Sequence, residues 1–152
     1  MKQYKTGSPD ETIEIGYRLG KRLRTGDIVC LYGEVGAGKT VLVKGIARAF
    51  GISERDITSA SFTIVTPYQT SPPFTHIDLY RIDRAEELPD IGLWDHVGGD
   101  GIAVIEWAEK AEGWLPEDPI AVHLRYTEDN GREITIEGLD EKDRDNIEDR
   151  TH

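Results

Sequence analysis

Long apolar runs are missing from this chain of 152 residues. None approaches the roughly 18 consecutive apolar positions that a bilayer-spanning helix needs, and Met1-Lys2-Gln3-Tyr4-Lys5 carries no apolar core of a secretory signal. A membrane association is therefore not expected, and a cytoplasmic setting is. Cysteine is nearly absent: Cys30 stands alone inside an apolar stretch, which excludes an internal disulfide and marks a buried structural thiol. Basic charge is short as well. Eighteen Lys and Arg face 29 Asp and Glu, a formal net charge of −11, whereas nucleic-acid backbones are gripped by clustered cations. Such a surface does not hold nucleic acid unaided; a partner must supply the basic face. His76, His96, His123 and His152 show no metal-ligand spacing and read as structural or solvated. No N-K-x-D or T-K-x-D guanine-reading motif occurs either, which disfavours a GTPase.

What is present begins with Gly33-Glu34-Val35-Gly36-Ala37-Gly38-Lys39-Thr40, a G-x-x-x-x-G-K-T pattern directly after the apolar run Ile28–Tyr32. Glycines let the backbone turn tightly and aim N–H groups at phosphate oxygens, the lysine adds a positive charge, and the threonine offers a hydroxyl to Mg²⁺. The helix that opens here presents its positive dipole end to the same phosphates. Residues 34–41, including Val41, are thus the expected nucleotide-binding segment.

Around this loop the pattern predicts a layered α/β domain. Ser8-Pro9-Asp10-Glu11 combines a serine N-cap, proline at the first helical position and early acids, so a helix is expected to about residue 24 with Ile13, Tyr17, Gly20 and Leu23 on its sheet-facing side. A second helix over 39–50 turns Leu42, Val43, Ile46 and Phe50 inward, with Gly51 as its cap. Residues 59–66 read as a loop becoming a strand, 74–81 as a strand, and 85–97 as short helical turns interrupted by Pro89 and Gly92. Ile102–Glu106 is a strand covered on both faces. Ile120–Tyr126 and Arg132–Glu137 form an antiparallel hairpin through Asn130-Gly131. The expectation is a single-domain P-loop NTPase fold over residues 1–138, with a central mixed, largely parallel sheet flanked by helices and a C-terminal antiparallel hairpin. Residues 137–150 hold seven acids and three bases, so 139–152 reads as an acidic, flexible tail.

In such sheets ligands sit at the carboxyl ends of strands, and phosphoryl chemistry needs a carboxylate for Mg²⁺ and a group to direct water. Asp78 and Glu106 each end an apolar strand and qualify for both tasks; the spacing leaves open which does which. Ser59, Ser61 and Thr63 form a hydroxyl-rich loop where nucleotide-sensing switches occur in this fold. Trp107 is placed to contact a nucleotide or partner, or to pack at the core edge.

These pieces carry a resemblance. The phosphate loop, then Ser61-Phe62-Thr63-Ile64-Val65, His76-Ile77-Asp78-Leu79-Tyr80-Arg81, Glu86-Glu87-Leu88 with Ile91-Gly92-Leu93, and Ile105-Glu106-Trp107 follow the order seen in the bacterial tRNA threonylcarbamoyladenosine biosynthesis ATPases (TsaE), over about residues 8 to 126. The resemblance implies a small cytoplasmic Mg²⁺-dependent ATPase, weak alone, that joins a threonylcarbamoyl-transferase catalytic subunit and its non-catalytic paralogue. There it supports repeated threonylcarbamoylation of adenosine 37 in tRNAs that read codons beginning with A, and meets tRNA only through the complex. It also implies that Lys39 and the loop amides hold phosphates, that Thr40 and Glu106 lie at the metal, that Asp78 is a second acid required for turnover, and that Thr12 lies near the nucleotide. Two departures stand out. The family's usual S-P-T-[FY]-T becomes Ser59-Ala60-Ser61-Phe62-Thr63, and Trp94 precedes Asp95 where many relatives carry an acid after I-G-L. From the residues alone, a P-loop small-molecule kinase and a nucleotide-state binding module with negligible hydrolysis remain as alternatives. The kinase lacks an arginine-rich lid, because the segments beyond Arg84 are mostly acidic.

Overall fold

A computed structural model describes residues 1–34, 36–57, 64–116 and 118–139. Seven strands form one sheet: β1 (Lys2–Thr6), β2 (Ile28–Tyr32), β3 (Val65–Tyr68), β4 (Phe74–Asp78), β5 (Ile102–Glu106), β6 (Ile120–Tyr126) and β7 (Arg132–Glu137), in the order β1-β7-β6-β2-β5-β4-β3. The centre is parallel: β6, β2, β5 and β4 all run together. The margins are antiparallel, β7 and β1 on one side and β3 on the other. This is the expected mixed sheet with its C-terminal hairpin.

Helices α1 (Pro9–Arg22) and α2 (Lys39–Arg48) cover one face. Ser8 caps α1, its hydroxyl accepting from the Glu11 amide at 3.2 Å, while the Glu11 carboxylate accepts from the Gly7 amide. The face that α1 buries is Thr12, Ile13, Gly16, Leu19 and Gly20, rotated from the expected stripe because its nearest neighbour is α2 as well as the sheet. The helix backbones touch. A Cβ on Gly45 would fall 2.1 Å from the Ile13 carbonyl, and one on Gly16 would fall 2.4 Å from that of Leu42. Tyr17 instead lies at the helix margin, its ring under Lys21 and Arg48.

The opposite face is closed without a long helix. The 3-10 turns Ala85–Glu87, Pro89–Ile91 and Ala108–Ala111 and the short α3 (Leu93–His96) lay Ile82, Leu88, Leu93, Ala108 and Ala111 over Cys30, Ile77 and Ile105. Trp94 and Trp114 pack in a tilted arrangement with ring centroids 5.6 Å apart and stay exposed at this margin.

Some boundaries differ from expectation. The N-terminal segment is strand β1, which polar residues conceal and pairing with β7 creates. Strand β4 stops at Asp78, because its carboxylate accepts from the Tyr80 amide at 3.0 Å and turns the chain. The β6–β7 connection is longer than a two-residue turn: Tyr126 pairs with Arg132, and Asn130 takes a left-handed conformation between them. Leu139, assigned to the tail, is buried in the core. Val35, the loop of Ser59, Ser61 and Thr63, and residues 140–152 lie outside the described residues. Among the described residues no helix is long and apolar enough to cross a membrane.

Candidate functional site

Helix α2 follows β2 through a segment whose described residues include Gly33, Gly36 and Gly38. Helix α2 begins after Gly38 at φ 101°, a left-handed conformation that glycine adopts without strain. Among the described residues no side chain caps this end, so its first N–H groups are available to an anion. Lys39 is buried and donates to the carbonyl of Gly33, with its ammonium 3.6 Å from the Trp107 ring centroid. Burial lowers the lysine pKa, while Glu106, Glu109 and Asp78 oppose that shift.

Asp78 and Glu106 are paired in the parallel register of β4 and β5, so both carboxylates emerge at the same end of the sheet. Only 4 % and 2 % of these residues is exposed. The Thr40 hydroxyl donates to Glu106, 3.0 Å from Oε1 and 3.2 Å from Oε2. His76 Nε2 lies 2.7 Å from Glu106 Oε2. Burial first, and then the neighbouring Glu106, push the Asp78 carboxyl above the usual range; the Tyr80 amide, His76 and Lys39 act against this.

Lys39 and Thr40 of the loop motif and the strand-end acids Asp78 and Glu106 therefore converge. The ligand atoms of His76, Asp78 and Glu106 lie within 4.8 Å of one another, and the Thr40 hydroxyl adjoins them. Two buried carboxylates, one of them held above its usual pKa by burial and then by the other, and a hydroxyl oxygen make a donor set that suits a hard, oxygen-seeking cation such as Mg²⁺. His76 was not expected here. The signal for it was strand alternation, since residues two apart on β4 share a face.

Trp107 holds a left-handed conformation at φ 58°, uncommon for a bulky residue. It packs on Tyr80 at 5.3 Å and sits over Lys39. Lys110 donates to the carbonyls of Tyr80 and Ile82 at 2.6 and 2.9 Å, tying together the turns that follow the two acids. On the other side of the loop, Thr12 is buried, with its hydroxyl oxygen 2.8 Å from that of Thr6. It borders a cavity of about 100 Å³ shared with Gly38, Val41 and Arg132. Glu34 and Gly36 are exposed and Ala37 is buried beneath the loop.

A parallel strand delivering a glycine-rich loop and helix, beside two strands ending in acids, defines a protein of the P-loop NTPase fold. The family model for the threonylcarbamoyl adenosine biosynthesis protein TsaE matches residues 6–134. The tRNA threonylcarbamoyladenosine biosynthesis protein TsaE of Treponema pallidum is 40% identical over 129 residues, 85% of this chain and 95% of that protein. Its Bacillus subtilis counterpart is 37% identical over 139 residues, 90% and 86% of the two chains. The crystal structure of Bacillus subtilis YdiB superposes with a TM-score of 0.71 at 31% identity, covering 93% of this chain and 92% of the other. The chain belongs to the TsaE family, and its role is in tRNA threonylcarbamoyladenosine biosynthesis.

Proposed function

We propose that the chain is a Mg²⁺-dependent ATPase that works within a threonylcarbamoyl-transferase complex, supporting repeated modification of adenosine 37 in tRNAs that read codons beginning with A. The observation that carries this reading is the convergence of Lys39, Thr40, Asp78 and Glu106 at one end of the parallel strands. Relatives that bear the name of this biosynthesis support the setting.

In this reading Lys39 exchanges the Gly33 carbonyl and the Trp107 ring for the outer phosphates of ATP, and the loop amides hold the inner ones. Thr40, Glu106 and Asp78 are the residues that would hold Mg²⁺, which when bound neutralises phosphate charge and polarises the bond that breaks. His76 and Thr40 hydrogen-bond Glu106 and so fix its orientation. Asp78, whose carboxylate accepts from the Tyr80 amide and whose carboxyl is raised, orients the attacking water and receives its proton. Thr12 and the cavity beside Gly38 take the nucleoside end. Ser59, Ser61 and Thr63 carry the state of the site to partners, and Trp107 reports it at the site's edge.

The partners are the transferase catalytic subunit and its non-catalytic paralogue. With a net charge of −11, this chain leaves contact with tRNA to them. The test is isothermal titration calorimetry with ATP and Mg²⁺, paired with phosphate release, on the wild type and Lys39→Ala. Binding and release by the wild type and neither by the variant is the expected result. A wild type that binds ATP but releases no phosphate, alone or with both partners, refutes hydrolysis.

A further inference from the structure

Arg132 opens β7 opposite Tyr126 at the tip of the β6–β7 hairpin. Its guanidinium lies 4.0 Å from the Tyr126 ring centroid. Nη1 donates to the carbonyls of Asn130 and Gly131 at 3.2 and 3.1 Å, and Nη2 donates to that of Gly36 at 3.3 Å. The last bond crosses from the hairpin to the phosphate loop.

Three features make this more than a surface contact. The loop backbone rests directly on the pair: Gly36 has φ 83°, and a Cβ there would fall 2.5 Å from the Tyr126 hydroxyl. Among the described residues no carboxylate contacts Arg132, whereas Arg125 on the same hairpin pairs with Glu133 at 2.7 Å. Among the described residues a full positive charge thus stands without an acidic partner beside the loop, in a chain whose net charge is −11. Finally, the same side chain borders the cavity that adjoins Gly38 and Thr12.

We propose that Arg132, seated on Tyr126, is a positioning residue for the phosphate loop that also adds positive charge to a nucleoside polyphosphate site. A carbonyl held by a cation cannot swing toward the phosphates, where its oxygen would repel them. With the Gly36 carbonyl fixed toward the hairpin, the loop is set for anions before a ligand arrives, and binding requires less reorganisation. Arginine suits the role because its planar fork reaches three carbonyls while stacking on an aromatic ring; lysine offers the charge without the fork.

The inference rests on the nucleotide-binding reading above, and its test separates the two. ATP and ADP are titrated calorimetrically into the full chain as wild type, Arg132→Gln, Arg132→Lys and Arg125→Gln. Arg132→Gln raises both dissociation constants about tenfold, Arg132→Lys recovers part of the loss, and Arg125→Gln binds like the wild type. In steady-state hydrolysis the rise in KM exceeds any fall in kcat. Arg132→Gln binding within about twofold of the wild type, or Arg125→Gln weakening binding as much, overturns the inference and leaves the nucleotide reading intact. A wild type that binds neither nucleotide overturns that reading as well. Should Arg132→Gln fail to fold, Tyr126→Leu removes only the exposed platform; its affinity falls severalfold, and unchanged affinity overturns the inference.

Discussion

His76 and Glu106 meet across β4 and β5 with 2.7 Å between Nε2 and Oε2, and both side chains are almost wholly removed from solvent. Replacing the histidine by Phe leaves a buried carboxylate short of one partner. Removing a hydrogen bond to a charged group typically costs about 1.5–3 kcal/mol, and urea unfolding of His76→Phe should show a loss of that size. Equal midpoints for the two proteins would mean that the contact contributes nothing to stability.

Glu106→Gln keeps the size of the side chain and removes its charge. ATP affinity, set by Lys39 and the loop amides, is expected to change little, while phosphate release falls by about a hundredfold or more. A single-turnover assay separates these effects. Hydrolysis at the wild-type rate would remove Glu106 from the chemistry.

The strand before the loop carries an alkaline signature. Burial pushes the Cys30 thiol from 9.0 up to about 12, and Tyr32, hydrogen-bonded to it, rises from 10.0 to about 12. Both groups ionise more readily in the unfolded chain, so their contribution to stability is fully present below pH 9 and is lost as pH rises toward 12. Cys30→Ala should flatten that loss. Denaturant unfolding of both proteins at pH 8 and pH 11 checks it, and parallel declines would contradict it.

Gly45→Ala tests the contact between α1 and α2. The added Cβ would meet the Ile13 carbonyl at 2.1 Å, backbone that moves only if the helices part. Overpacking of this kind costs about 1–3 kcal/mol, enough to offset the better helix propensity of alanine. A thermal melt no lower than that of the wild type would show that the helices separate freely.

Legibility in the sequence followed how local the determining forces are. Residues 33–40, the capped start of α1 and the apolar strand ending in Glu106 were readable because glycine spacing, capping and apolar runs act within a few neighbours. Strand β1 was not, since Lys2 and Lys5 face solvent and the strand exists through its register with Ile136 and Glu133. His76 was missed for a related reason: its partner Glu106 is 30 residues away and is brought close only by the β4–β5 pairing. Arg132 reaches Gly36 across 96 residues, a distance over which spacing carries no signal. The buried stripe of α1 is rotated about the helix axis from the one its apolar spacing predicts, because α2, through Gly45, competes with the sheet for it.

ATP-driven turnover is best tested by reconstituting the transferase subunit, its paralogue and tRNA with this chain and counting threonylcarbamoyladenosine formed per enzyme. With the wild-type chain and ATP, product should accumulate over many rounds, while Glu106→Gln should hold it near the level reached without the chain. An equal number of rounds with wild type, with Glu106→Gln and with no added chain would contradict the proposed function.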